Sequence, residues 1–194
     1  MEHLRLIRDI EMKNHSPIYL LHGEESYFID IIAEALEDKL LDEAEKAFGL
    51  HIYYGKDTNI EHILSTSKGF PMGGNLQLVI VREAQDLKDW KKEDATKKLV
   101  DYIQNPTPTT VLAFCYKNGK LDGRGQAYKA FKSKAKVFES LKIKDYALSE
   151  WVNTFVKERQ LTIGGSNAQL LADYLGSDLH KLVNEIEKLR LILK

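Results

Sequence analysis

Five short apolar runs alternate with helix-spaced segments through residues 17–140, and this alternation leaves few folds open to the chain. Strands joined through intervening helices return to a sheet in parallel, so the pattern predicts an α/β domain: a parallel sheet with helices on both faces. The best-defined unit is Ser16-Pro-Ile-Tyr-Leu-Leu-His-Gly-Glu-Glu-Ser-Tyr-Phe28. Pro17 opens the strand where a missing N–H does least harm. The strand runs Ile18 to Leu21 and breaks at His22-Gly23. The helix that follows carries Phe28, Ile31, Ile32, Ala35 and Leu36 and is read as continuing past Leu40 to Phe48-Gly49.

The later units repeat the scheme. A strand at Leu50–Tyr54 leads to a helix carrying Ile60, Ile63 and Leu64, with Thr58 and Glu61 read as its capping box. The turn-rich stretch Phe70-Pro-Met-Gly-Gly-Asn75 precedes a strand at Leu76–Val81, almost wholly apolar, as strands buried on both faces are. A charged helix over about Trp90–Gln104 ends before Pro106, and strands follow at Thr110–Tyr116 and Val137-Phe138 around a short helix at Gln126–Lys132. Residues 1–13 place Leu4, Ile7 and Ile10 or Leu6 on one side of an outer helix. Beyond Lys142 only helical stripes remain: Ala147 to Val156, a segment after Gly164-Gly165 with Ser166 and Gln169 as a capping box, and Leu179 to Leu189. The chain therefore divides into an α/β domain, 1–141, and a small helical domain, 142–194.

In nucleotide-binding proteins of this type, a phosphate-cradling loop follows the first strand. It needs several glycines and a Lys-Ser/Thr pair, so that amides, an ammonium and a metal-binding hydroxyl converge on the phosphates. Here the turn reads Gly23-Glu24-Glu25, with carboxylates where phosphate oxygens would approach. Arg82 stands where a magnesium-organising aspartate would be expected after Leu78-Val-Ile-Val81, leaving Glu83 as the acid at that strand end. ATP hydrolysis has no machinery in such a set. Gly23 then serves the tight turn, and the glutamates favour the helix N-terminus.

Other chemistry is thinner. The six histidines are scattered without ligand spacing, and His22, though at a strand's C-terminal end, has no recognisable nucleophile nearby. Cys115 lies in an apolar run and reads as a buried thiol. A net charge of −1 excludes a wholesale polyanion binder. Nevertheless, residues 117–144 hold nine Lys or Arg against Asp122 and Glu139. Arg124, Lys129, Lys132 and Lys136 are the candidate DNA contacts there, weighed against an ordinary solvated face. Phe70-Pro71-Met72 either folds back over the core or projects as a partner anchor. The start lacks the pattern of a signal peptide, and no apolar run nears the ~20 residues that span a bilayer. The sequence reads as cytoplasmic, without membrane attachment.

Taken in order, several stretches resemble the delta subunit of the bacterial DNA polymerase III clamp loader. They are Pro17 to Phe28, Gly69-Phe-Pro-Met-Gly-Gly-Asn-Leu-Gln-Leu-Val79, Leu121-Asp-Gly-Arg124, Tyr146-Ala-Leu-Ser-Glu-Trp151, Gly176-Ser-Asp-Leu179 and Glu185-Ile-Glu-Lys-Leu189. The resemblance implies an AAA+-type fold with a degenerate nucleotide loop at Gly23, Glu24 and Glu25, then a helical lid, with a third, collar domain outside this chain. It implies a subunit of a DNA-directed DNA polymerase holoenzyme with no catalysis, cofactor or metal of its own. Such a subunit binds and opens the ring-shaped sliding clamp (beta) during DNA replication, beside gamma/tau and delta-prime subunits and DNA. The clamp contact falls on Phe70, Pro71, Met72 and Gly73, where family members present two adjacent bulky residues and Gly73 departs from the pattern. Two other functions stay open: a nucleotide-binding or NTPase domain with an atypical loop, and a stand-alone DNA-binding module.

Overall fold

The structure, a computed structural model, describes residues 2–71 and 74–192. In chain order the elements are α1 (Glu2–Glu11), β1 (Ile18–Gly23), α2 (Ser26–Lys39), α3 (Glu43–Gly49), β2 (Leu50–Tyr54), α4 (Ile60–Ser67), β3 (Gln77–Arg82), α5 (Glu93–Gln104), β4 (Thr110–Lys117), α6 (Gln126–Lys134) and β5 (Lys136–Ser140). Three further helices follow: α7 (Asp145–Glu158), α8 (Gly165–Leu175) and α9 (Leu179–Ile192). The chain forms two compact units, Met1–Leu141 and Lys142–Lys194.

The sheet of the first unit has five strands in the order β2-β3-β4-β1-β5, and every neighbouring pair is parallel. Alternate side chains of each strand feed opposite layers. Ile18, Leu20, Val79, Val81, Leu112 and Phe114 pack with Ile60, Ile63, Leu99, Ile103, Ala130 and Phe131 from α4, α5 and α6. On the other face Tyr19, Leu21, Leu78, Ile80, Val111 and Ala113 are buried, with α2 packed on the strands and α1 on α2. Of the α1 candidates, Leu6 and Ile10, one turn apart, form the fully buried pair.

Three local readings are corrected. The first helix is two helices, because Asp42 starts α3 with a full capping box: its carboxylate accepts from Glu45 N–H at 2.8 Å, and the Glu45 carboxylate accepts from Asp42 N–H at 3.1 Å. The cap of α4 is Asn59 rather than Thr58; Asn59 accepts from His62 N–H, and Asp89, far along the chain, takes Ile60 N–H at 2.9 Å. A cap supplied across tertiary space cannot be read from local spacing. In the second unit α8 begins at Gly165 with Gly164 as its N-cap, so Ser166 lies in the first turn instead of capping it.

That second unit is built from Leu148, Trp151, Val152, Phe155 and Val156 of α7, Ala168 and Ala172 of α8, and Leu179, Leu182 and Ile186 of α9. The Arg159 guanidinium lies over the Phe155 ring, 3.3 Å from its centroid, and pairs with Glu187 on α9. None of the described helices is long and apolar enough to cross a membrane.

Candidate functional site

Parallel strands collect their C-terminal ends on one edge of the sheet, which is where α/β proteins bind ligands. Gly23, Arg82, Lys117 and Ser140 end β1, β3, β4 and β5 there. Gly23 has φ +145°, and a Cβ on it would lie 2.0 Å from the Ser140 carbonyl oxygen. That oxygen accepts from Glu24 N–H at 2.9 Å, and the Ser140 hydroxyl donates to the Glu25 carbonyl at 2.6 Å. Glu25 is buried as the N-cap of α2, accepting from Tyr27 N–H at 3.1 Å. The Glu24, Glu25 and Tyr27 amides are thus engaged by the protein's own oxygens.

Beside the turn, the Lys117 ammonium lies 2.7 Å from Asp30 on α2 and 3.0 Å from Glu83. Glu83 adopts a left-handed conformation, φ 51°, just past β3. Burial works against charge on Lys117, but the hydrogen bonds it donates to Asp30 and Glu83 outweigh it and raise its pKa. Burial likewise opposes charge on Glu83, yet Gln85 and Lys117 leave its pKa lowered. Arg82, at the expected metal-acid position, pairs with Glu37 at 2.8 Å. Cys115 is fully buried, which pushes its thiol up to about 12, well away from reactivity at neutral pH. The sequence reading missed Lys117 as the centre of this cluster, because its two carboxylate partners lie on other elements.

His22 is buried on the same edge, and among the described residues neither ring nitrogen has a hydrogen-bond partner. Its ring meets Tyr128 edge-on at 5.7 Å. Burial lowers its pKa; Glu139 raises it and Lys120 lowers it further, these two forming an ion pair of 2.6 Å.

The described parts of the turn-rich segment, Phe70-Pro71 and Gly74-Asn75, come ahead of β3, whose start lies at the opposite edge. Phe70 is 85% exposed, Pro71 is half-buried, and Met72 and Gly73 lie outside the described residues. Its base is a polar knot. The buried Gln77 amide nitrogen sits 3.1 Å from Thr66 O, 2.9 Å from Gly69 O and 2.7 Å from Thr110 Oγ1. Thr110 Oγ1 and Tyr102 OH both donate to Ser67 O, at 2.9 and 3.2 Å. This knot ties the end of α4 to the starts of β3 and β4. Sequence offered no signal for it beyond a glutamine inside an apolar strand.

The basic candidates are spread over three elements. Arg124 is exposed and bonded to Asp122 in the loop, Lys129 and Lys132 lie one turn apart on α6, and Lys136 opens the edge strand β5. Among the described residues no group of three His, Cys, Asp or Glu side chains could hold a metal ion.

A five-stranded parallel sheet in this order, with helices packed on both faces, is an AAA+-type fold. Comparison with known proteins narrows the class. The family model for the DNA polymerase III delta subunit matches residues 19–141, and the chain belongs to that family. It is 28% identical over 177 residues to the DNA polymerase III subunit delta of Bacillus subtilis, a match covering 89% of this chain and 51% of that protein. The solved Bacillus subtilis DNA clamp loader delta protein superposes with a TM-score of 0.79 at 25% identity, over 98% of this chain and 57% of that one. A gamma subunit-related DNA polymerase III protein of Thermotoga maritima shares the fold, with a TM-score of 0.56 at 14% identity over 96% of this chain and 58% of that one. The chain spans about half the length of the curated relative it matches.

Proposed function

We propose that this chain is the clamp-engaging part of a DNA polymerase III clamp loader and performs no catalysis itself. Residues 70–73 serve as an apolar wedge into the ring-shaped sliding clamp. Preference for the open ring over the closed one supplies the work of opening, since a ligand shifts an equilibrium only by its differential affinity. Residues 142–194 serve as the lid, and assembly with gamma/tau and delta-prime uses a collar domain beyond this chain. The observation that carries the reading is the family match across the α/β unit combined with Phe70 held out in solvent at 85% exposure. An aromatic ring kept out of the core at such a site is an efficient anchor for a partner.

Titration of the chain with the sliding clamp of its own organism tests this. Phe70→Ala and Met72→Ala each weaken binding roughly tenfold or more if they anchor the contact; unchanged affinity in both removes the wedge. The nucleotide-binding alternative has little support, because the turn amides are engaged by Ser140 and Glu25. A fluorescent ATP analogue should give a flat titration into the millimolar range, and saturable binding lost in Glu83→Ala would restore that alternative. DNA contact through Arg124, Lys129, Lys132 and Lys136 belongs to the assembled loader in this reading. A steep salt dependence of DNA affinity for the chain alone would favour the stand-alone DNA-binding alternative.

A further inference from the structure

The chain has seven phenylalanines, and five of them are buried: Phe28, Phe114, Phe131, Phe138 and Phe155. The two left in solvent are Phe70, 85% exposed, and Phe48, 65% exposed. They are distant in sequence, yet both sit on elements that meet at the N-terminal edge of the sheet. Phe48 is near the end of α3, which packs on β3. A Cβ on Gly74 would lie 3.0 Å from Glu45 Cγ, and one on Gly49 would lie 3.0 Å from the Leu76 carbonyl. The helical turn Glu45–Gly49 therefore meets Gly74 and Leu76, just ahead of β3, with Phe48 inside that turn.

The helix that presents Phe48 is short but well fixed. The capping box at Asp42 secures its start, the Lys46–Glu43 pair at 2.7 Å lies along it, and Gly49 is buried at its end. A phenyl ring left 65% exposed on such a helix contributes little of its apolar area to the core. Phe48 and Phe70 are thus two exposed rings on elements that meet at one end of the sheet, and separate aromatic anchors of this kind suit a protein partner with more than one apolar pocket.

We propose that Phe48 is a second anchor for the sliding clamp, acting beside Phe70 and supplying from α3 the bulk that Gly73 cannot supply from the loop. This rests on the clamp-binding reading of the 70–73 segment. The occupant is the clamp rather than another protein because Phe48 is continuous, through Glu45 and Gly74, with that segment.

The test is calorimetric titration of the whole chain with the sliding clamp of the same organism, alongside thermal melts and sedimentation of the chain alone. Phe48→Ala is expected to weaken clamp binding roughly tenfold with its melting midpoint unchanged, whereas Phe48→Leu keeps most of the affinity. Wild-type affinity in Phe48→Ala, with affinity lost in Phe70→Ala, overturns the second anchor and leaves the clamp reading in place. Wild-type chain that does not bind the clamp overturns the reading and the anchor together. Self-association that Phe48→Ala abolishes, at unchanged clamp affinity, overturns the proposal in favour of a second copy as occupant.

Discussion

Ser140, the last residue of β5, places its carbonyl oxygen 2.0 Å from where a Cβ on Gly23 would sit and accepts from Glu24 N–H at 2.9 Å. The end of β1 and the start of α2 are thereby stitched to the edge strand. Only a glycine at φ +145° permits this approach. Gly23→Ala should therefore cost about 3 kcal/mol, from backbone strain plus displacement of Ser140. A chemical denaturation midpoint measures it, and a loss below about 1 kcal/mol would contradict the close approach.

Lys117 is the cation shared by Asp30 and Glu83, and all three side chains are largely shielded from water. Lys117→Met keeps the stem and removes the charge. It should destabilise the α/β unit by about 2 kcal/mol, less than a fully buried pair because Glu83 keeps some solvent contact. Glu83 has a lowered folded pKa, so its contribution is present above its ordinary carboxylate range and lost as pH falls through the folded value. Lys117→Met should accordingly flatten the acid limb of a stability–pH profile.

His22 titrates with the opposite protonation logic from a paired histidine. Its folded pKa lies below the ordinary 6.5, so the unfolded chain takes up the proton first and stability is complete only above that value. Tyr128, Glu139 and Lys120 face it, and the burial cost exceeds the help from Glu139. Stability should fall from about pH 6.5 downward by up to about 1.4 kcal/mol per pH unit. His22→Phe, which fills the same space without a titrating group, should remove its share of that slope and leave the share of His3, whose pKa burial lowers to about 4; denaturation midpoints between pH 5 and 8, compared with wild type, decide the matter.

Gln77 separates support from contact at the opposite edge. Gln77→Ala strips the knot beneath the 70–76 segment and should cost about 2 kcal/mol by leaving buried partners unsatisfied. If the proposed clamp contact holds, it should also lower clamp affinity, since Gly69, next to Phe70, loses its tether. Phe70→Ala should lower affinity at constant stability, its ring being 85% exposed. Equal melting midpoints for Gln77→Ala and wild type would refute the supporting role.

Sequence alone determined the strand–helix alternation, the places where both Gly23 and the Phe70–Asn75 turn interrupt it, and the absence of a phosphate-binding lysine after Gly23. These are legible because apolar periodicity and turn chemistry act over a few neighbouring residues. Tertiary structure alone decided what fills the vacated edge: Ser140 reaches Gly23, Lys117 meets Asp30 and Glu83, and Asp89 caps α4 from another element. The same holds for Gln77 reaching Gly69 and Thr110, and for Glu45 meeting Gly74. Each of these depends on strand order and on which face a helix covers, and such long-range pairings leave no fixed spacing in the chain.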